Sequence, residues 1–189
     1  PQWIADKLRE EGRAVPALLD AVGAGSFYKV EDGERSYMLA DGSFAKVVRP
    51  DGVLLLSDIK MRTEPVMKNS SASVWDLGDG VLCFEFTSMA NSLDEGITVM
   101  LNKTISAIEK GDEYKALVIH NEGKNFSVGA NIGVMLFSAN IAAWPQLQAG
   151  IKGGQDVYMK LRFGKFPVVS APSGIAVGGG CEILMHSDA

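Results

Sequence analysis

Cysteine and histidine are scarce in this chain, two of each among 189 residues, and neither type is spaced to hold a metal. Cys83 and Cys181 lie far apart, which argues against a zinc finger or a disulfide-stapled scaffold. Both sit in apolar segments, where a thiol behaves as a small hydrophobe, and a reducing cytosol is the simpler setting. His120 and His186 stand alone and read as structural. Blocks of like charge are also missing: 18 basic residues face 23 acidic ones, for a net charge of −5, so there is no broad basic surface for nucleic acid phosphates. No apolar run would cross a bilayer as a helix. Residues 125–151 are free of charge but interrupted by asparagines, glutamines, glycines and Pro145, and residues 166–181 are few and include Pro167 and Pro172. Residues 1–6 lack the basic-then-apolar order of a signal peptide. The expectation is a cytoplasmic protein with no nucleic acid partner and no membrane span. A small anionic ligand, bound by local groups, stays open.

Apolar residues make up 47% of the chain, which supports a core in one domain or two partial ones and excludes a wholly disordered tail. Residues 1–24 carry apolar positions at mixed helical spacing around a break near Gly12 and Pro16. From Ser26 to Asp58, short aromatic or β-branched runs alternate with Asp-Gly turns, which is β-hairpin material. Residues 59–72 combine charge, proline and serine without periodicity and read as a linker. Beyond it, residues 73–76 and 81–86 predict two strands around the Gly78-Asp79-Gly80 turn. Ser92 and Glu95 have capping-box spacing, and Ile97, Leu101, Ile105 and Ile108 form one stripe, predicting a helix over 94–110. A strand over 115–120, a helix between Trp144 and Arg162, a strand over 168–171 and a helix from about Gly180 complete an α/β pattern. Trp3, Trp75 and Trp144 are expected to pack, while the region of Met89 and Met100 suits a core or the lining of a pocket equally.

Two glycine-rich loops, each just after a strand, carry the chemistry: residues 123–131 (Gly-Lys-Asn-Phe-Ser-Val-Gly-Ala-Asn) and 174–182 (Gly-Ile-Ala-Val-Gly-Gly-Gly-Cys-Glu). Neither has the spacing of a dinucleotide or P-loop fingerprint. Small residues let bare backbone N–H groups approach a ligand, and two such groups aimed at one point form an oxyanion hole. A helix starting at Gly180 would add its dipole to the same field.

These loops resemble the paired signatures of the crotonase, or enoyl-CoA hydratase/isomerase, superfamily. Ala90-Asn91-Ser92-Leu93 is similar to the family's Asn-Ala-Leu segment, and Lys165-Phe166-Pro167-Val168 to its approach to the second loop. The resemblance implies a crotonase-like ββα spiral over residues 73–189, incomplete here. It implies that the Ala130 and Gly179 N–H groups hold a thioester oxygen, that Glu182 handles the water added across the double bond, and that Ala90, Ser92 and Val128 contact CoA. Asn131 departs from the family's usual aspartate. The hydratases' second catalytic glutamate would fall past Ala189, so the chain reads as part of a longer protein and is expected to be inactive by itself.

In the first 58 residues, Gly23-Ala24-Gly25-Ser26-Phe27-Tyr28-Lys29 resembles a signature of the C-terminal domain of 3-hydroxyacyl-CoA dehydrogenases. Together the two resemblances imply a bifunctional fatty acid β-oxidation protein acting on acyl-CoA thioesters. They imply no cofactor in this chain, with NAD expected only for a dehydrogenase domain elsewhere. An oligomer or β-oxidation complex is left open. Two readings compete with hydration: an enoyl-CoA isomerase, and a non-catalytic acyl-CoA-binding or assembly domain in which Glu182 only complements a helix dipole.

Overall fold

The computed structural model describes residues 1–111 and 113–189. They form two units, Pro1–Thr63 and Glu64–Ala189. In the first, α1 (Gln2–Glu10) gives way near Gly12, which takes a φ of +67°, and Pro16 precedes α2 (Ala17–Val22). β1 (Tyr28–Glu31), β2 (Glu34–Met38) and β3 (Phe44–Lys46) follow as an antiparallel meander. Its first turn places Asp32 and Gly33 at φ 51° and 72°, the left-handed pair that matches strand twist in a tight hairpin.

Two expectations change in this unit. The hairpin reading extended to Asp58, yet residues 56–59 form a short helix, α3 (Leu56–Ile59). Leu56 is buried there, and Arg49 clamps Asp58 through two hydrogen bonds of 2.8 and 3.0 Å, so side-chain anchoring overrides the local turn pattern. Trp3, expected to pack, is 72% exposed. The buried residue of α1 is Ala5, two positions on and therefore on the opposite side of the helix.

The second unit is built on a five-stranded sheet ordered β11-β8-β6-β5-β4. Its strands are β4 (Met67–Lys68), β5 (Ala72–Asp76), β6 (Val81–Phe86), β8 (Ala116–His120) and β11 (Val168–Ala171). The first three pair antiparallel, and β6, β8 and β11 run parallel. Parallel neighbours need crossovers, and α4 (Glu95–Glu109) and α6 (Trp144–Phe163) supply them. The predicted stripe of α4 is buried, with Met100 and Thr104 filling between its members. Val157 and Leu161 of α6 join the same core, while Phe84, Phe86 and Phe126 contact edge to face at centroid distances of 5.4 and 5.6 Å. Each such side chain, fully buried, contributes roughly 1.5–3 kcal/mol.

The cap of α4 is Asp94, whose Oδ1 accepts from Ile97 N at 3.0 Å; Ser92, expected to cap, lies in the two-residue strand β7 (Ser92–Leu93). Part of the 59–72 stretch is built into this unit. Ser71 Oγ donates to Asp94 Oδ2 at 2.7 Å, and Asn69 Nδ2 donates to the Gly96 carbonyl at 2.8 Å. Serine and asparagine there satisfy groups at the start of α4.

Between β8 and α6 come β9 (Asn125–Ser127), β10 (Gly129–Ala130) and α5 (Ile132–Asn140); β12 (Ile175–Ala176) and α7 (Gly179–Met185) follow β11. The helix α5 was not anticipated. Trp75 is buried as expected, but Trp144 is 58% exposed, at the start of α6. Cys83 is buried, whereas Cys181 is exposed. Met100 is core and Met89 lies 90% exposed. No helix among the described residues is long and apolar enough to cross a membrane.

Candidate active site

Two small parallel pairs bring distant segments together: β10 lies against β7, and β12 against β9. The first joins the loop after β8 to the approach of α4; the second joins the two glycine-rich loops. Their backbones meet directly. Val177 N donates to the Ser127 carbonyl at 3.0 Å and Ile175 N to the Lys124 carbonyl at 3.2 Å.

The glycines follow from this contact. Gly129 takes a φ of +83°, and a Cβ there would stand 2.9 Å from the Val177 carbonyl oxygen and 3.2 Å from Gly179 N. A Cβ on Gly180 would stand 2.7 Å from Ser127 Cβ, and one on Gly174 2.0 Å from the Lys124 carbonyl oxygen. Backbone against backbone leaves no room for side chains.

Around this seam the polar groups are accounted for in turn. Asn131 N donates to the Leu93 carbonyl at 3.1 Å, and Gly129 N to Ser127 Oγ at 3.1 Å. Successive strand amides alternate in direction, so the Ala130 N–H, one residue before Asn131, faces the edge of β10 away from β7, where no strand among the described residues pairs with it. Gly179 is the first residue of α7, and its amide has no acceptor within the helix. Ala130 and Val128 are exposed, as is Glu182, one turn into α7. Asn131 caps α5 by accepting from Val134 N at 3.3 Å.

Ala90 and Asn91 form part of a single 3-10 turn and both take left-handed conformations, φ 53° and 55°. Consecutive non-glycine residues in that region are uncommon and cluster at functional sites. They are held in place: Asn91 Nδ2 donates to the Asn125 carbonyl at 2.8 Å, Ser127 Oγ donates to the Asn91 carbonyl at 2.6 Å, and Ser88 Oγ donates to the Ser92 carbonyl at 2.6 Å. Ala90 and Ser92 are thereby fixed beside the first glycine loop.

Two residues that sequence reasoning missed shape this region. Asn121 is buried; its Oδ1 accepts from Phe86 N at 2.8 Å and its Nδ2 donates to the Phe126 carbonyl at 3.1 Å. It ties the central strand to the first loop. Tyr158 of α6 places its hydroxyl where it would stand 2.9 Å from a Cβ on Gly179, and Glu182 Oε2 would stand 3.6 Å from the same point. Burial first, and the Glu182 charge second, push the Tyr158 phenol up to about 12.

Each histidine engages one ring nitrogen with the backbone. His120 Nδ1 lies 2.7 Å from the Ala171 carbonyl, and His186 Nδ1 2.7 Å from that of Glu182; a ring nitrogen facing a carbonyl must carry the proton. No metal-holding cluster exists among the described residues. A cleft of about 490 Å³ runs along α6 beside Trp144, Leu147 and Ile151.

Comparison with known proteins follows the same lines. The pattern of the family described as enoyl-CoA hydratase/isomerase matches residues 78–189. The chain is 34% identical over 184 residues to a Bacillus subtilis protein named "Probable 3-hydroxyacyl-CoA dehydrogenase", covering 96% of this chain and 23% of that protein. It is 30% identical over 130 residues to a Rickettsia felis protein named "Putative fatty acid oxidation complex trifunctional enzyme", covering 69% of this chain and 18% of that one. The chain thus spans about a quarter or less of the length of these relatives. Among solved structures, an enoyl-CoA hydratase from Shewanella pealeana shares the fold at a TM-score of 0.57 and 22% identity over 62% of this chain and 44% of that one. A carnitinyl-CoA dehydratase from Mycobacterium thermoresistibile does so at 0.59 and 20% identity over 64% and 36%. The matched pattern, carried by a mixed α/β unit whose two glycine loops meet backbone to backbone, establishes that the chain belongs to the enoyl-CoA hydratase/isomerase, or crotonase, family.

Proposed function

We propose that the second unit supplies the oxyanion-hole half of an acyl-CoA hydratase site in fatty acid β-oxidation. In this reading the N–H groups of Ala130 and Gly179 donate to the thioester oxygen of a trans-2-enoyl-CoA. They stabilise the negative charge that oxygen gains as water adds at C3, which is where preorganised donors contribute most. Glu182 accepts a proton from the water, and a second carboxylate from a segment beyond Ala189 completes the pair. The exposed Val128 and the left-handed turn at Ala90, with Ser92 beside it, contact CoA. One observation carries the reading: the chain brings Gly129 against Gly179 so closely that no side chain fits between them.

The same reading makes this chain part of a longer, cytoplasmic protein. Residues 1–58 act as a remnant of a 3-hydroxyacyl-CoA dehydrogenase C-terminal domain and 59–72 as the join to 73–189; the Bacillus subtilis relative, aligned over 96% of the chain, supports this order. In this reading NAD belongs to a dehydrogenase domain outside this chain, since dinucleotides bind at parallel βαβ units.

The test is hydration of crotonyl-CoA by the full-length protein and its Glu182→Gln variant. Loss of turnover with retained CoA-thioester binding supports the assignment. Unchanged turnover in the variant removes Glu182 from the mechanism.

A further inference from the structure

Tyr158 stands beside the candidate site without a role. It projects from α6, on a different segment from either glycine loop, and its ring packs tilted against His186 at a centroid distance of 5.6 Å. Its hydroxyl and Leu93 Cδ1 occupy the space that a side chain on residue 179 would need, 2.9 and 2.6 Å from that Cβ position. Glycine at 179 therefore does two things: it frees an amide, and it lets a phenol reach the site.

The hydroxyl has no hydrogen-bond partner among the described residues, and it is not sealed from solvent. A hydroxyl open to solvent and without a protein partner is available to a group that arrives at the site. Its nearest charged neighbour is the Glu182 carboxylate; the two oxygens flank the same point over Gly179 without bonding each other. The other titratable group packed against the ring, His186, spends its Nδ1 on the Glu182 carbonyl and does not compete for the hydroxyl.

We propose that Tyr158 is a further substrate-side donor of this site, and that its hydroxyl and the Glu182 carboxylate together hold one oxygen atom, the water to be added or the hydroxyl to be lost. The inference rests on the hydratase reading of the site. A water there donates one O–H to Glu182 and accepts from Tyr158 O–H, which leaves its second lone pair free to face C3. In the reverse direction the phenol donates to the departing hydroxyl. Tyrosine suits this because its phenol, held above its ordinary value by burial and by the Glu182 charge, remains a protonated donor throughout the neutral range.

The experiment compares Tyr158→Phe with the parent in the full-length protein, using crotonyl-CoA as substrate and Glu182→Gln as reference. The proposal expects kcat to fall about tenfold, the equivalent of one lost hydrogen bond in the transition state, with KM within about twofold and an unchanged melting temperature. Should the Phe variant fold poorly, a ring-fluorinated tyrosine at 158 keeps the shape and lowers the phenol's ionisation. The alkaline fall in kcat then moves to lower pH. If Glu182→Gln abolishes hydration while Tyr158→Phe keeps full kcat, or raises KM alone, Tyr158 is only packing and the proposal fails while the site reading stands. If Glu182→Gln is itself fully active, the site reading falls first.

Discussion

Replacing Gly129 with alanine separates a strained turn from a loop-to-loop contact. Gly129 takes a φ of +83°, a left-handed conformation that costs an L side chain roughly 1–2 kcal/mol. The new methyl would also stand 2.9 Å from the Val177 carbonyl oxygen and 3.2 Å from Gly179 N, and forcing two packed backbones apart adds about 1–3 kcal/mol. Gly78 is the control. It lies in the same unit at a φ of +90°, with nothing within 4 Å of an added Cβ, so Gly78→Ala pays only the conformational part. The expected order in urea unfolding, followed by circular dichroism, is a loss of about 2–5 kcal/mol for Gly129→Ala against about 1–2 kcal/mol for Gly78→Ala. In the full-length protein only Gly129→Ala should also depress hydration, because it moves the Gly179 amide. Equal losses for the two variants, within about 0.5 kcal/mol, would refute the claim that the glycine loops are in backbone contact.

Three further outcomes follow from named groups. Asn121→Ala orphans the buried Phe86 N–H and the Phe126 carbonyl, at about 1–3 kcal/mol for each group left unpaired; a melting temperature equal to the parent's would contradict this. Tyr158 ionises higher in the folded chain, at about 12, than its ordinary value of 10.0, so the folded state holds the proton more tightly. The stability this contributes is intact below pH 10 and declines as pH rises from there towards 12, and Tyr158→Phe should flatten that decline in a series of urea midpoints. Asn131→Ala removes the Val134 N acceptor that caps α5 and should cost about 1 kcal/mol, read as a lower urea midpoint with CoA-thioester binding unchanged.

The helix α4 was legible because its apolar residues recur on one face, and burial of Ile97, Leu101, Ile105 and Ile108 is what that period encodes. Strands β5, β6, β8 and β11 were legible from short apolar runs bounded by turns. By contrast α5 shows no stripe: Ile132, Val134, Leu136 and Phe137 are all exposed apolar residues, so periodicity had nothing to register, and the usable signal was Asn131 as a cap. Asp94 and Ser92 are both good caps two positions apart, and only the tertiary bond from Ser71 to Asp94 decides between them. Pairs as short as β7 with β10 and β9 with β12 lie below any periodic signal. The glycine loops were found by composition and family resemblance, but their backbone contact could not be, because it joins segments some fifty residues apart, as in Val177 N to the Ser127 carbonyl. Asn121 and Tyr158 carry no motif; one is a lone buried amide, and the other is a helix residue whose importance depends on the missing Cβ of Gly179.

The claim that the Ala130 and Gly179 amides converge on one carbonyl is tested most directly by isotope-edited vibrational spectroscopy of a thioester-carbonyl-labelled enoyl-CoA bound to the full-length protein. Two aligned donors withdraw electron density from the oxygen, so the carbonyl stretch should fall in frequency relative to the same thioester in water. A bound thioester whose stretch matches that in water, or lies above it, would contradict the account.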